Sequence, residues 1–182
     1  MLVMTTTQLI DIPESGTPLN SIAAATADAV AAKASNAQVV FGASAVATDG
    51  VASEVALRSF SVTVDEPPTL GGSDTAPNPV EYYLAALLSC QVVTYRFWAE
   101  RLGVEFDDLT LTAEGDLDVR GFFGLDAEVR PGFTAVRVSV NISGPASDDD
   151  YRRLQETVER HCPVQDLTVD PTPLSSELHI DR

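Results

Sequence analysis

NPVEYYLAALLSCQVVTYRFWAERLG, residues 78–103, decides the fold. Asn78 suits a helix N-cap, and Pro79 suits the first helical position, where its missing N–H costs nothing. Glu81 falls at the third position, completing an Asn-x-x-Glu variant of the capping box. The pattern predicts a helix that runs to Leu102 and stops at Gly103, a C′ glycine. Arg96 and Arg101 fall toward its negative end. Tyr82–Tyr95 is free of charge and apolar on every face, so other elements or a partner subunit must enclose it. At 14 residues this stretch is shorter than the ~20 that a membrane helix requires.

Working backward, DEPPTLGGSDTAPNP (65–79) holds four prolines and two glycines in 15 residues. That composition forbids helix and sheet interiors and predicts a stiff loop aimed at the helix. Residues 38–64 read as strands, with Val39, Phe41, Val46, Val55 and Leu57 as apolar positions. FSVTV (60–64) alternates with period two, and Asp49-Gly50 is a turn signal. SIAAATADAVAAK (21–33) predicts a helix capped by Ser21 and weakly anchored, because Ile22 and Val30 are its largest apolar side chains. Residues 1–20, with Pro13, Gly16 and Pro18, read as a loosely docked arm.

Working forward, LTLTAEGDLDV (109–119) and FTAVRVSVNI (133–142) alternate as strands. The loop between them carries Phe122 and Phe123, read as plugs that pack back onto the body. Ser147 caps a second helix, with Asp148, Asp149 and Asp150 in its positive first turn and an apolar stripe of Tyr151, Leu154 and Val158. Pro163 must disturb that helix near Cys162. SELHI (176–180) reads as a short terminal strand. The sum is an α+β chain, with an N-terminal arm and helix over 1–37 and a main domain over 38–182.

Composition narrows the function. The chain has 182 residues, 27 acidic against 11 basic, and a net charge of −16. Such a chain repels phosphate backbones and anionic lipid surfaces, which argues against nucleic-acid and membrane partners. The first 16 residues, MLVMTTTQLIDIPESG, show neither a basic n-region nor an apolar h-region, so a cytoplasmic location is expected. There the two cysteines, Cys90 and Cys162, start reduced, and a disulfide between them would be chemical rather than structural.

Each cysteine admits two readings. Cys90 sits in LAALLSCQVV, either as a small buried hydrophobe or as a nucleophile that needs an activator. Cys162, in His161-Cys162-Pro163, either marks a helix stopped by proline or caps a helix restarting at Pro163, where the dipole favours thiolate. His161, its neighbour in sequence, need not face it. With His161 and His179 the cysteines match no compact zinc spacing, so no metal site is expected. Neither a nucleophile elbow nor a phosphate-binding glycine loop is present.

GGSDTAPNPVEYYLAALLSC (71–90), with HCPV (161–164) downstream, VDEPPTLGG before and GDLDVRGFFGLD after, resembles the OsmC and organic-hydroperoxide-resistance family. The similarity is to a broad branch with an N-terminal helical extension, and spans roughly residues 38–180. The resemblance implies an intertwined homodimer in which antiparallel sheets wrap two long central helices. It implies a thiol peroxidase of oxidative-stress defence, in which Cys90 attacks an organic hydroperoxide and Cys162 resolves the sulfenic acid as a disulfide. A dithiol, such as a dihydrolipoyl protein, would reset the pair, with no cofactor.

Arg58 and Glu81 complete the candidate site. The family's peroxidases carry a glutamate directly after Asn-Pro; that position here is Val80, and Glu81 lies one residue on. They also carry an early-strand arginine; Arg58, the single arginine among the first 89 residues, is displaced from it. The alternative is a non-catalytic dimer of the same fold that holds an apolar small molecule near Phe122, Phe123 and Tyr83.

Overall fold

Pro18 to Ile180 are the residues that the structure, a computed structural model, describes. The arm expected over residues 1–20 lies outside the described residues as far as residue 17. The chain forms two units, one ending at Tyr83 and one starting at Leu84.

The first unit opens with helix α1, Leu19–Ala32. Pro18, not Ser21, precedes its first turn, and no side chain caps it. The Ser21 N–H is already bonded to the Pro18 carbonyl at 2.9 Å, which places Ser21 inside the helix. None of its residues is buried, as a run of alanines with two larger side chains predicts. Strands β1 (Ser44–Ala47), β2 (Ser53–Leu57) and β3 (Phe60–Val64) then form an antiparallel sheet in that order. The first strand begins at Ser44 rather than at residue 38. Val40 and Phe41 lie outside the sheet's ladder, 94% and 88% exposed. Gly50 turns β1 into β2 with φ of 62°. The turn into β3 uses Arg58 and Ser59, since Leu57 faces Phe60, and Arg58 takes the left-handed φ of 59°. No apolar residue of this sheet is buried.

The proline-rich loop is held by one carboxylate. Asp65, 2% exposed, accepts from the N–H groups of Glu66, Ser73 and Thr75 and from the Thr75 hydroxyl, at 2.8–3.1 Å. Its two glycines have separate reasons. Gly71 turns with φ of 90°, and a Cβ on Gly72 would collide with the Glu66 carbonyl oxygen. The Tyr82 hydroxyl donates to the Thr63 carbonyl at 2.8 Å, tying the loop's far end back to β3.

Helix α2, Pro79–Leu102, starts and stops where its sequence dictates. The Glu81 N–H donates to Asn78 Oδ1 at 2.9 Å, and the Asn78 N–H donates to Glu81 Oε2 at 2.8 Å. At the other end Gly103 is left-handed (φ 65°). Its N–H reaches Glu100 O and that of Val104 reaches Ala99 O, the paired bonds of a Schellman stop. In the second unit β4 (Asp108–Asp116) and β5 (Ala135–Ser143) pair antiparallel, each alternating half-buried and exposed. β4 ends three residues before Val119, because Asp118 caps a single helical turn, α3 (Val119–Phe122). Helix α4, Asp148–His161, is capped by Ser147 and buries Leu154, Thr157 and Val158. It breaks at Cys162, and a short helix α5, Pro163–Val169, follows. The core joins Tyr95, Ala99, Val104, Leu154 and Val158, with Leu109, Leu111, Val140 and Ile142 of the sheet packed against them.

The whole is α+β with small antiparallel sheets. Two expectations are corrected. SELHI forms no strand; it has no regular structure, with Leu178 82% and Ile180 68% exposed, and no strand among the described residues pairs with it. Phe122 and Phe123 do not plug the body. They are 66% and 51% exposed and pack edge to face on each other, while the Phe133 ring occupies the space over Gly115. No helix of the described residues is long and apolar enough to cross a membrane.

Candidate thiol site

Cys90 lies on α2 one residue before Gln91, in the middle of the helix. The buried face of that helix is Leu87, Gln91, Thr94, Tyr95 and Ala99, a helical stripe that turns toward α4. Cys90 is half-buried beside it, and its carbonyl accepts from the Thr94 hydroxyl at 2.8 Å. Cys162 ends α4 and begins α5. Its N–H closes the last turn of α4 on Val158 O at 2.9 Å, and its carbonyl accepts from the Asp166 N–H at 3.0 Å, opening α5. Pro163 forces that break, and it places Cys162 at an N-cap, the second of its two sequence readings.

The structure places the two thiols near each other, and both are free cysteines. The electrostatics of Cys162 differ from the lowered thiol that an N-cap alone would give. Burial pushes its thiol up; the side chain is 1% exposed. The N–H groups of Gln165 and Val164 pull the other way, but the adjacent Cys90 adds to the rise. The net direction is upward, so Cys162 is held as the neutral thiol.

The other two candidates are engaged locally. Arg58 sits in the β2–β3 turn with its guanidinium 5.4 Å over the Phe60 ring. Glu81 closes the capping box. His161 stacks on Trp98, ring centres 4.4 Å apart, which turns it to that ring. Among the described residues no group of three or more His, Cys, Asp or Glu is arranged to hold a metal ion.

Sequence reasoning passes over two glutamines. Gln91 is 5% exposed, and its Nε2 donates to Gln165 Oε1 at 2.8 Å. Gln165 Nε2 in turn donates to the Glu159 carbonyl at 3.3 Å. The signal for Gln91 is a lone amide in an otherwise apolar helical run, which must find a partner once buried.

A family model described as OsmC-like protein matches residues 71–177. Among solved structures the fold is similar to that of an OsmC-like protein from Mycoplasma pneumoniae, with a TM-score of 0.64 and 16% identity over 74% of this chain and 90% of that one. It is also similar to an organic hydroperoxide resistance protein OsmC from Legionella pneumophila, with a TM-score of 0.56 and 20% identity over 73% of this chain and 90% of that one. An organic hydroperoxide resistance protein from Elizabethkingia anophelis gives 0.56 and 20% over 74% and 91%. At these identities the likeness is one of fold. No curated protein sequence matches the chain.

Proposed function

The chain belongs to the OsmC-like protein family, and on that premise we propose that it reduces organic hydroperoxides through Cys90 and Cys162. The observation that carries this reading is the nearness of the two thiols. Cysteines 72 positions apart come near each other, one of them at a proline-broken helix junction. The solved relatives described as organic hydroperoxide resistance proteins support the choice of substrate.

The chemistry runs in three steps. The Cys90 thiolate attacks one peroxide oxygen, the O–O bond breaks, and Cys90 becomes a sulfenic acid while the other oxygen leaves as an alcohol after taking a proton. The Cys162 sulfur then attacks the sulfenic sulfur, forming the disulfide and releasing water. A dithiol, such as a dihydrolipoyl group, reduces that disulfide to two thiols and is itself oxidised. Burial suits Cys162 to the second role, because a thiol held neutral does not compete for the peroxide. The half-buried Cys90, in an apolar helix, suits an organic rather than a charged substrate.

The setting proposed is the cytosol, and the assembly a homodimer. The β1–β3 sheet buries no apolar residue, and α2 leaves Ala85, Ala86 and Val93 exposed along one stripe; a second copy is the cover proposed for them. The test is steady-state consumption of cumene hydroperoxide with a dihydrolipoyl reductant. Cys90→Ser is expected to abolish turnover. Wild-type protein that consumes no hydroperoxide would instead leave the fold as a binding dimer.

A further inference from the structure

Helix α5 has no fully buried apolar anchor, Val164 being only half-buried. None of its seven residues is buried, and Leu167 and Val169 are 52% and 70% exposed. Yet this helix carries the junction on which Cys162 is placed. A proline break with little packing beneath it is a place where local opening is easy. A set of polar bonds spans it instead. The Gln165 amide accepts from Gln91 on α2 at 2.8 Å and donates to Glu159 O in the last turn of α4 at 3.3 Å. That carbonyl is one of the four that an α-helix leaves without an internal partner at its end. One side chain therefore caps α4, belongs to α5 and reaches α2.

Gln91 makes the case stronger. Its Oε1 is buried with no hydrogen-bond partner. A buried amide satisfied at one end is worse for stability than a leucine of the same reach. Stability alone is a poor reason for glutamine here, whereas a directional link to Gln165 requires one.

We infer that the Gln91–Gln165 amide bridge is a positioning clamp, which holds the α4–α5 junction so that Cys162 stays within disulfide range of Cys90. The inference rests on the thiol-pair reading above. The two glutamines act through Cys162 and are positioning residues. Loss of the bridge frees α5 and lowers the effective concentration of one sulfur at the other.

The test avoids peroxide. The reduced protein is mixed with trans-4,5-dihydroxy-1,2-dithiane. The two cysteines lose two electrons and two protons, the Cys90–Cys162 bond forms, and the dithiane S–S bond opens to a dithiol. The rate and the equilibrium are followed by intact mass after acid quench. Gln165→Met and Gln91→Met, which fill the same space without the hydrogen bond, are each expected to slow closure and to weaken the disulfide about tenfold, a rise of about 30 mV in the reduction potential. The double variant is expected to be no worse than the weaker single one, because both remove one bridge. If Gln165→Met does not fold, Gln91→Asn, which withdraws the amide by one methylene, carries the same expectation. Variants that fold and close with the wild-type rate and potential overturn the clamp, as do additive losses in the double variant. Wild-type protein that closes with the dithiane but ignores cumene hydroperoxide ends the peroxidase reading and leaves the clamp to the variants.

Discussion

Asp65 orders its loop by four hydrogen bonds, and three of the donors are backbone amides. Those bonds, the Thr75 amide first, hold its carboxyl down from the ordinary 3.8 to about 2. The sign follows from the direction. A carboxyl depressed in the fold adds stability above its unfolded value and loses it as pH falls through the folded one. Between pH about 4 and about 2 the wild type is therefore expected to lose this contribution, while Asp65→Asn, already without the charge, is expected not to. Thermal melting of both across that range checks it: the variant should melt lower at neutral pH, and the gap should narrow in acid. A gap independent of pH would contradict the assignment. Nothing near Asp65 in sequence announces this role except the density of turn residues. Two of its three partners, Ser73 and Thr75, come from the far side of two glycines, Thr75 being ten residues on. The glycines themselves are legible as punctuation, but that Gly72 lies against the Glu66 carbonyl is not.

Among the elements, α2 has ends that are written locally, and both form as read. Asn78, Pro79 and Glu81 act within one turn, and Gly103 acts within another, so tertiary context has little to override. Glu81→Ala is expected to cost about 0.5–2 kcal/mol of stability through the lost cap. Glu81→Gln, which still accepts from the Asn78 N–H, is expected to keep both stability and peroxide turnover. Loss of turnover by about a hundredfold in the Gln variant, with melting unchanged, would make Glu81 an acid–base group instead. Elements whose fate depends on distant partners were less legible. Ser21 has the chemistry of a cap, but the helix starts earlier, at Leu19. SELHI has the period of a strand, but no strand among the described residues pairs with it. The break at Pro163 was legible because proline acts on its own backbone. The raised thiol of Cys162 was not, because its cause is burial by residues elsewhere in the chain.

At the scale of the whole molecule, exposed apolar surface on the β1–β3 sheet and along α2 calls for a cover. The homodimer proposed for it predicts that folding and assembly are inseparable, so the melting temperature should rise with protein concentration. Sedimentation should find the dimer at micromolar concentration; a folded monomer there would contradict it. The site shows the same division between local and distant information. Cys90 and Cys162 were visible as candidates, but their nearness and the Gln91–Gln165 bridge bring together residues more than 70 positions apart, a distance over which no local pattern speaks. The thiol pair is the centre of the account. Intact-mass spectrometry of the reduced protein after one equivalent of cumene hydroperoxide tests it most directly. The wild type is expected to lose about 2 Da, for the Cys90–Cys162 disulfide, and Cys162→Ser to gain about 16 or 32 Da on Cys90. A wild-type mass that stays unchanged would contradict it.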